Sequence, residues 1–219
     1  MGTLAILPIK NFDDAKGRLG DGFDAGPRRA LAEAMFSDVV VALRRAGSVA
    51  RILVVSADPA AQQIAAGHGA GVLDEPDRGH NAAASAGIRV ALEAGDERVL
   101  LIPGDCPLLD PHELDQLIAH PARGRSALIV PDRHGTGTNA LLLTPPGSLE
   151  PAFGPGSCER HVANANATGT APEVVAVPTL ALDVDTPEDL DALSAALTER
   201  HGGAAHTRGM LRQLLRSRS

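Results

Sequence analysis

Short apolar runs alternate along this chain with longer segments of helical period, the pattern of a layered α/β domain. Residues 4–9 read as a buried first strand that is released into a polar loop. Pro27 follows Gly26 where a helix can begin, and Leu31, Met35, Val39, Ala42 and Leu43 recur at helical spacing up to Gly47. Residues 51–56 predict a second strand, 59–67 an alanine-rich helix and 71–73 a short third strand. A helix is expected over 81–94, closed by Gly95, and a fourth strand over 99–103. Residues 111–119 predict a helix with Asp110 as its N-cap. Strands at 127–130 and 139–143, a helix at 157–167, strand-like runs at 174–177 and 181–184, and a helix at 186–198 complete the pattern.

No internal repeat, low-complexity linker or break in composition precedes residue 199, so residues 1–198 are expected to form one domain. Residues 199–219 form a basic tail, in which five Arg against one Glu give a net +4. Within it, residues 207–215 predict a short helix with Met210, Leu211, Leu214 and Leu215 on one side, suited to packing.

Charge narrows the function. The 219 residues carry 20 Lys+Arg and 27 Asp+Glu, a net −7, and only 2% are aromatic, which argues against a nucleic-acid binder. No run approaches 18 apolar residues, so no membrane span is expected. The N-terminal residues do not read as a signal peptide, and two Cys do not make a disulfide framework, so a reduced cytoplasmic setting is the expectation. Of the 20 basic residues only Lys10 and Lys16 are lysines.

In an open, largely parallel sheet, ligands sit beyond the carboxyl ends of the strands. The loops there are 10–19, 74–81, 104–109 and 184–188, and they hold most of the chemically loaded residues. Lys10, Lys16 and Arg18 suit a polyphosphate, although the loop is not a Walker-type glycine loop and a solvated loop explains it about as well. Asp105, in Gly104-Asp105-Cys106-Pro107, stands where a strand stops and can present a carboxylate to a divalent metal. Asp183 and Asp185, two apart, would project to one face of an extended stretch and could share that metal. The competing account is that Asp185 or Thr186 caps the last helix, with Pro187 at its first position. Residues 131–139 (PDRHGTGTN) and 153–157 (FGPGS) offer glycines, hydroxyls and a helix start with Ser157 at or near the cap, which suits an anion. The histidines lack metal-ligand spacing.

Taken in order over residues 4–190, ILPIK with KGRL, GDCPLLD, PDRHGTGTNALLL, FGPGS followed by His161, and LDVDTPEDL resemble one family. It is the phosphoenolpyruvate or 2-phospho-L-lactate guanylyltransferase family of coenzyme F420 (deazaflavin) biosynthesis. The resemblance implies a Rossmann-like nucleotidyltransferase fold, a mostly parallel central sheet flanked by helices, with GTP as donor and Mg²⁺ as cofactor. It implies that Thr138, Gly154 and Ser157 hold a small phosphorylated carboxylic acid, and that Asp105, Asp183 and Asp185 hold the metal. Lys10, Lys16, Arg18 and Asn81 would face the nucleotide, with Asp105, Lys16 and Arg18 serving the transfer itself. Cys106 and His80 depart from the family pattern, which usually has leucine at both positions. Phosphoenolpyruvate, 2-phospholactate and 3-phosphoglycerate stay open as the acid, the Arg-rich composition favouring the first; a homodimer stays open too. The competing functions are a sugar-nucleotide or other nucleotide transferase of the same fold and a non-catalytic nucleotide-binding module.

Overall fold

The computed structural model describes residues 2–14, 19, 24–76, 78–121 and 124–216; Lys16 and Arg18 lie outside them. Its strands are β1 (Thr3–Pro8), β2 (Val49–Val55), β3 (Gly71–Leu73), β4 (Val99–Leu101), β5 (Ser126–Pro131), β6 (Thr138–Thr144) and β7 (Ala171–Val174). Its helices are α1 (Ala25–Arg45), α2 (Pro59–Gly67), α3 (His80–Ala94), α4 (Pro111–Ile118), α5 (Ser157–Ala167), α6 (Pro187–Glu199) and α7 (Ala205–Arg216). The strands form one seven-stranded sheet in the order β3-β2-β1-β4-β6-β5-β7.

Strand periodicity builds two cores. Ala5, Leu7, Leu100, Ile102 and Leu142 pack on one face with Phe36, Val39 and Leu43 of α1 and Leu114 of α4. Their alternates Leu4, Ile6, Leu101, Leu141 and Leu143 pack on the other with Ala84, Ile88 and Ala91 of α3 and Cys158 and Ala165 of α5. Helix α3 approaches β1 closely because residue 87 is glycine: a Cβ there would stand 2.4 Å from Ile6 Cγ2.

β1 pairs in parallel with both β2 and β4, which places the switch in strand order at the carboxyl ends of β1 and β4. β6 is antiparallel to both β4 and β5. Its first residues, Thr138 and Asn139, therefore lie at the end of the sheet where β1 and β4 finish.

Two strand expectations are corrected. β7 occupies 171–174 rather than 174–177, its register fixed by pairing Ser126–Ile129 of β5 with Ala171–Val174. As an edge strand it tolerates Pro172 and the exposed Glu173, which hid it from an apolar pattern. Residues 181–184 form no strand. Leu182 and Val184 are buried, but the Val184 N–H donates to the Asp105 carbonyl at 3.3 Å rather than to a ladder.

Helix α7 joins the body of the protein. Leu31 and Met35 of α1 share a core with Leu193 and Leu197 of α6 and Ala204, and Met210 and Leu211 pack against it. Asp38, buried midway along α1, accepts hydrogen bonds from the backbone N–H of His206 (3.1 Å) and Thr207 (2.8 Å) and lies 2.9 Å from His206 Nδ1. A carboxylate from the first helix thus caps the last one.

Candidate active site

A cleft of about 730 Å³ opens at the switch point, between the loops that follow β1 and β4 and the start of β6. Its size suits a nucleotide-sized ligand. Lys10, Asn81, Asp105, Thr138, Gly154, Asp183 and Asp185 all line it, so seven of the residues singled out in the sequence converge there. Ser157 does not line it. Gly156, with φ of 68°, takes the cap position of α5, and Ser157, 1% exposed, is the first helical residue behind it. Ser157 thus stands next to the cap, which is a glycine because the chain turns through the left-handed region there.

The β1 loop is held at its base. Ile9 N–H donates to the Val55 carbonyl at 2.9 Å, and Phe12 N–H donates to Asp58 Oδ2 at 2.8 Å. Asp58 also caps α2, its Oδ1 accepting from the N–H of Ala60 and Ala61. Lys10 is exposed between these anchors and faces the cleft. Gly104 lets the β4 loop pass close beneath: a Cβ would come within 2.6 Å of Ile9 Cδ1 and 3.1 Å of Phe36 Cδ2.

Asp183 faces Asp105 across the cleft wall. Burial holds its carboxyl above the usual range, the charges of Asp105 and Asp185 add to that, and a hydrogen bond from Asn139 opposes it. Asn139 is itself buried, and its amide also donates to the Leu180 carbonyl at 2.7 Å. Such crowding of negative charge is what a divalent cation would relieve, and the donors are all hard carboxylate oxygens. Among the described residues no three His, Cys, Asp or Glu side chains form a ready-made cage. Asp105, Asp183 and Asp185 thus share one cleft without forming such a cage among themselves.

Asn81 spends its amide on the backbone. Its Nδ2 donates to the Phe153 carbonyl at 3.2 Å, and its Oδ1 accepts from the Phe153 N–H at 2.8 Å. The start of α3 is thereby clamped to the 153–157 loop. Phe153 sits edge-on between His80 and His161, at centroid distances of 4.9 and 5.2 Å. Burial lowers the His80 pKa, Lys10 adds to this and Asp105 opposes it.

The 131–139 loop folds on itself. Asp132 Oδ1 accepts from the N–H of His134 and Thr136, and the Cys158 N–H reaches the Thr136 carbonyl at 3.1 Å. Arg133 pairs with Asp189 at 2.6 Å, so its charge serves α6 rather than the cleft. Asp189 and Thr186 form a reciprocal capping box, which bears out Thr186 as a cap and leaves Asp183 and Asp185 facing the cleft.

Asn139, Phe153 and His161 lie in or beside the quoted motifs, but the sequence assigned none of them a role. The available signal was a polar pair, Thr138-Asn139, opening an otherwise apolar strand, and a histidine on the buried face of α5.

The family model described as "Guanylyl transferase CofC like" matches residues 3–217. A phosphoenolpyruvate guanylyltransferase from Conexibacter woesei is 55% identical over 219 residues, covering 99% of this chain and 98% of that protein. One of the same name from Rubrobacter xylanophilus is 43% identical over 90% of this chain and 95% of its own. Among solved structures, a nucleotidyl transferase from Methanothermobacter superposes with a TM-score of 0.66 at 18% identity, covering 90% of this chain and 98% of that one. A 4-diphosphocytidyl-2C-methyl-D-erythritol synthase gives 0.64 at 17%, covering 90% and 100%. At such identity these two speak for the fold alone: a mostly parallel, Rossmann-like nucleotidyltransferase sheet. Among the described residues no helix is long and apolar enough to cross a membrane.

Proposed function

The chain belongs to the CofC-like guanylyl transferase family, and on that premise we propose that it transfers GMP from GTP to the phosphate of phosphoenolpyruvate. The products are enolpyruvyl-diphospho-5'-guanosine and pyrophosphate. What carries the reading is the meeting of Asp105, Asp183, Lys10 and Thr138 in one cleft, in a chain 55% identical to a phosphoenolpyruvate guanylyltransferase.

A phosphate oxygen of the acid attacks the α-phosphorus of GTP in line. A new P–O bond forms, the bond from that phosphorus to the bridging oxygen breaks, and pyrophosphate leaves with the electron pair. The attacking oxygen is already anionic near neutral pH, so no general base is needed. The neutral-leaning His80, half-buried, and His161, buried, are consistent with that. Lys10 meets the triphosphate, and Thr138 with Gly154 receives the acid, while Ser157 supports the loop from behind. Lys16 and Arg18 are proposed to complete the basic loop. Asp105 and Asp183, with Asp185 beside them, would hold magnesium. When bound, that ion would neutralise charge growing on the α-phosphate. Positioning two anions against each other is the chain's own contribution. Two buried free cysteines and a GTP-dependent reaction fit a cytoplasmic setting.

The test is pyrophosphate release with GTP, Mg²⁺ and each of phosphoenolpyruvate, 2-phospholactate and 3-phosphoglycerate. Phosphoenolpyruvate should give the highest kcat/KM, and a faster rate with either other acid overturns the choice. Asp105→Asn or Asp183→Asn should nearly abolish release with folding intact; full activity in either sinks the metal assignment.

A further inference from the structure

His161 lies wholly buried in α5 with both ring nitrogens engaged. Nε2 stands 2.9 Å from the backbone nitrogen of Ala152, and Nδ1 stands 3.0 Å from Thr138 Oγ1. A backbone N–H can only donate, so Nε2 is the unprotonated nitrogen. The proton of the neutral ring is then on Nδ1 and points at the Thr138 hydroxyl. The following peptide is held as well, the Ala152 carbonyl accepting from Arg160 Nε at 3.0 Å and Nη2 at 2.9 Å. Burial, with the charge of Arg160 adding, keeps the ring neutral, with a pKa lowered to about 4.

The Thr138 oxygen, accepting from His161, keeps its own proton for another partner. Its residue lines the cleft, on the side assigned above to the phosphorylated acid. We propose that His161 is a positioning residue: by donating to Thr138 it turns that hydroxyl into a donor aimed at the anionic acid substrate. The inference rests on the reading that Thr138 faces the acid. A serine or threonine hydroxyl at an anion site is ordinarily free to rotate; here one fixed backbone N–H, read through an imidazole, sets its direction.

Two isosteric changes separate positioning from mere support of the loop. His161→Gln keeps an acceptor near the Nε2 position and removes the donor at Nδ1, while His161→Asn does the reverse. In steady-state pyrophosphate release, His161→Gln should raise the KM for the acid about tenfold and leave the KM for GTP unchanged. His161→Asn, which keeps the donor but loses the Ala152 N–H that fixes it, should raise the acid KM clearly less than His161→Gln does. Thr138→Val should raise the acid KM at least as far, and adding His161→Gln to it should cost nothing more. Equal effects of Gln and Asn on the acid KM, or an equal rise for GTP, overturn the proposal. A rise with Thr138→Val but none with His161→Gln sinks it and leaves the acid site standing. An unchanged acid KM in Thr138→Val means the acid site itself is misplaced, and the proposal falls with it. Should His161→Gln fail to fold, nitrogen NMR of the unaltered protein decides: a proton on Nδ1 upholds the inference and one on Nε2 overturns it.

Discussion

Asn139 donates to Asp183 Oδ1 at 3.1 Å while its amide also holds the Leu180 carbonyl. The first residues of β6 thereby fix the orientation of a carboxylate 44 positions later in the chain. Asn139→Ala removes both bonds and leaves the buried Leu180 carbonyl only the weak Cys106 thiol donor at 3.7 Å. The apparent affinity for magnesium should fall about 10- to 100-fold, with a stability loss of about 1–3 kcal/mol. Magnesium titration of pyrophosphate release checks the first, and an unchanged half-saturation would count against Asn139 as the orienting group.

Gly87→Ala should destabilise the fold although alanine is the better helix former. The added methyl would sit 2.4 Å from Ile6 Cγ2, a side chain with no exposure and no room to retreat. Overpacking of about 1–3 kcal/mol outweighs a helix gain of about 1 kcal/mol. Denaturant unfolding should show a lower midpoint with the slope unchanged.

Asp38→Ala should free α7. The buried carboxylate is the acceptor for the first N–H groups of that helix, and its loss should cost about 2 kcal/mol. Hydrogen exchange should rise chiefly over residues 205–216, and uniform exchange across α1 and α7 alike would contradict this.

The pKa of His161 predicts an acid-sensitive stability. Lowered from 6.5 to about 4, the folded-state value means that only the unfolded chain takes up this proton in between. Stability from this group is complete above pH 6.5 and is lost as pH falls toward 4, by up to about 1.4 kcal/mol per unit. His161→Asn removes the difference, so its stability should depend less on pH in that window than the unaltered protein's. Parallel curves would show that the imidazole titrates normally.

Much of the architecture was legible because each element carried its own punctuation. The bounds of α2 and α5 and the Asp110 cap follow from proline, glycine and apolar spacing that act locally. Lys10 and Asp105 could be expected at the cleft because strand ends are where ligands collect. Strand direction was not legible, since the antiparallel placement of β6 depends on which neighbours it pairs with. The grip of Asn81 on Phe153, 72 positions away, was equally hidden, as no local pattern encodes it. Residues 181–184 misled because their apolar side chains are buried by packing rather than by a ladder.

The reversal of β6 divides the cleft by sequence. Everything drawn from β1, α3 and β4 lies before residue 106, whereas Thr138, Gly154 and His161, which touches Thr138, all fall between residues 138 and 161. Changing which acid is accepted is then a one-segment problem. On the proposed reading, a contiguous exchange of that stretch between relatives should retune the acid, provided Asn139, which holds Asp183, and Phe153, which holds Asn81, are kept.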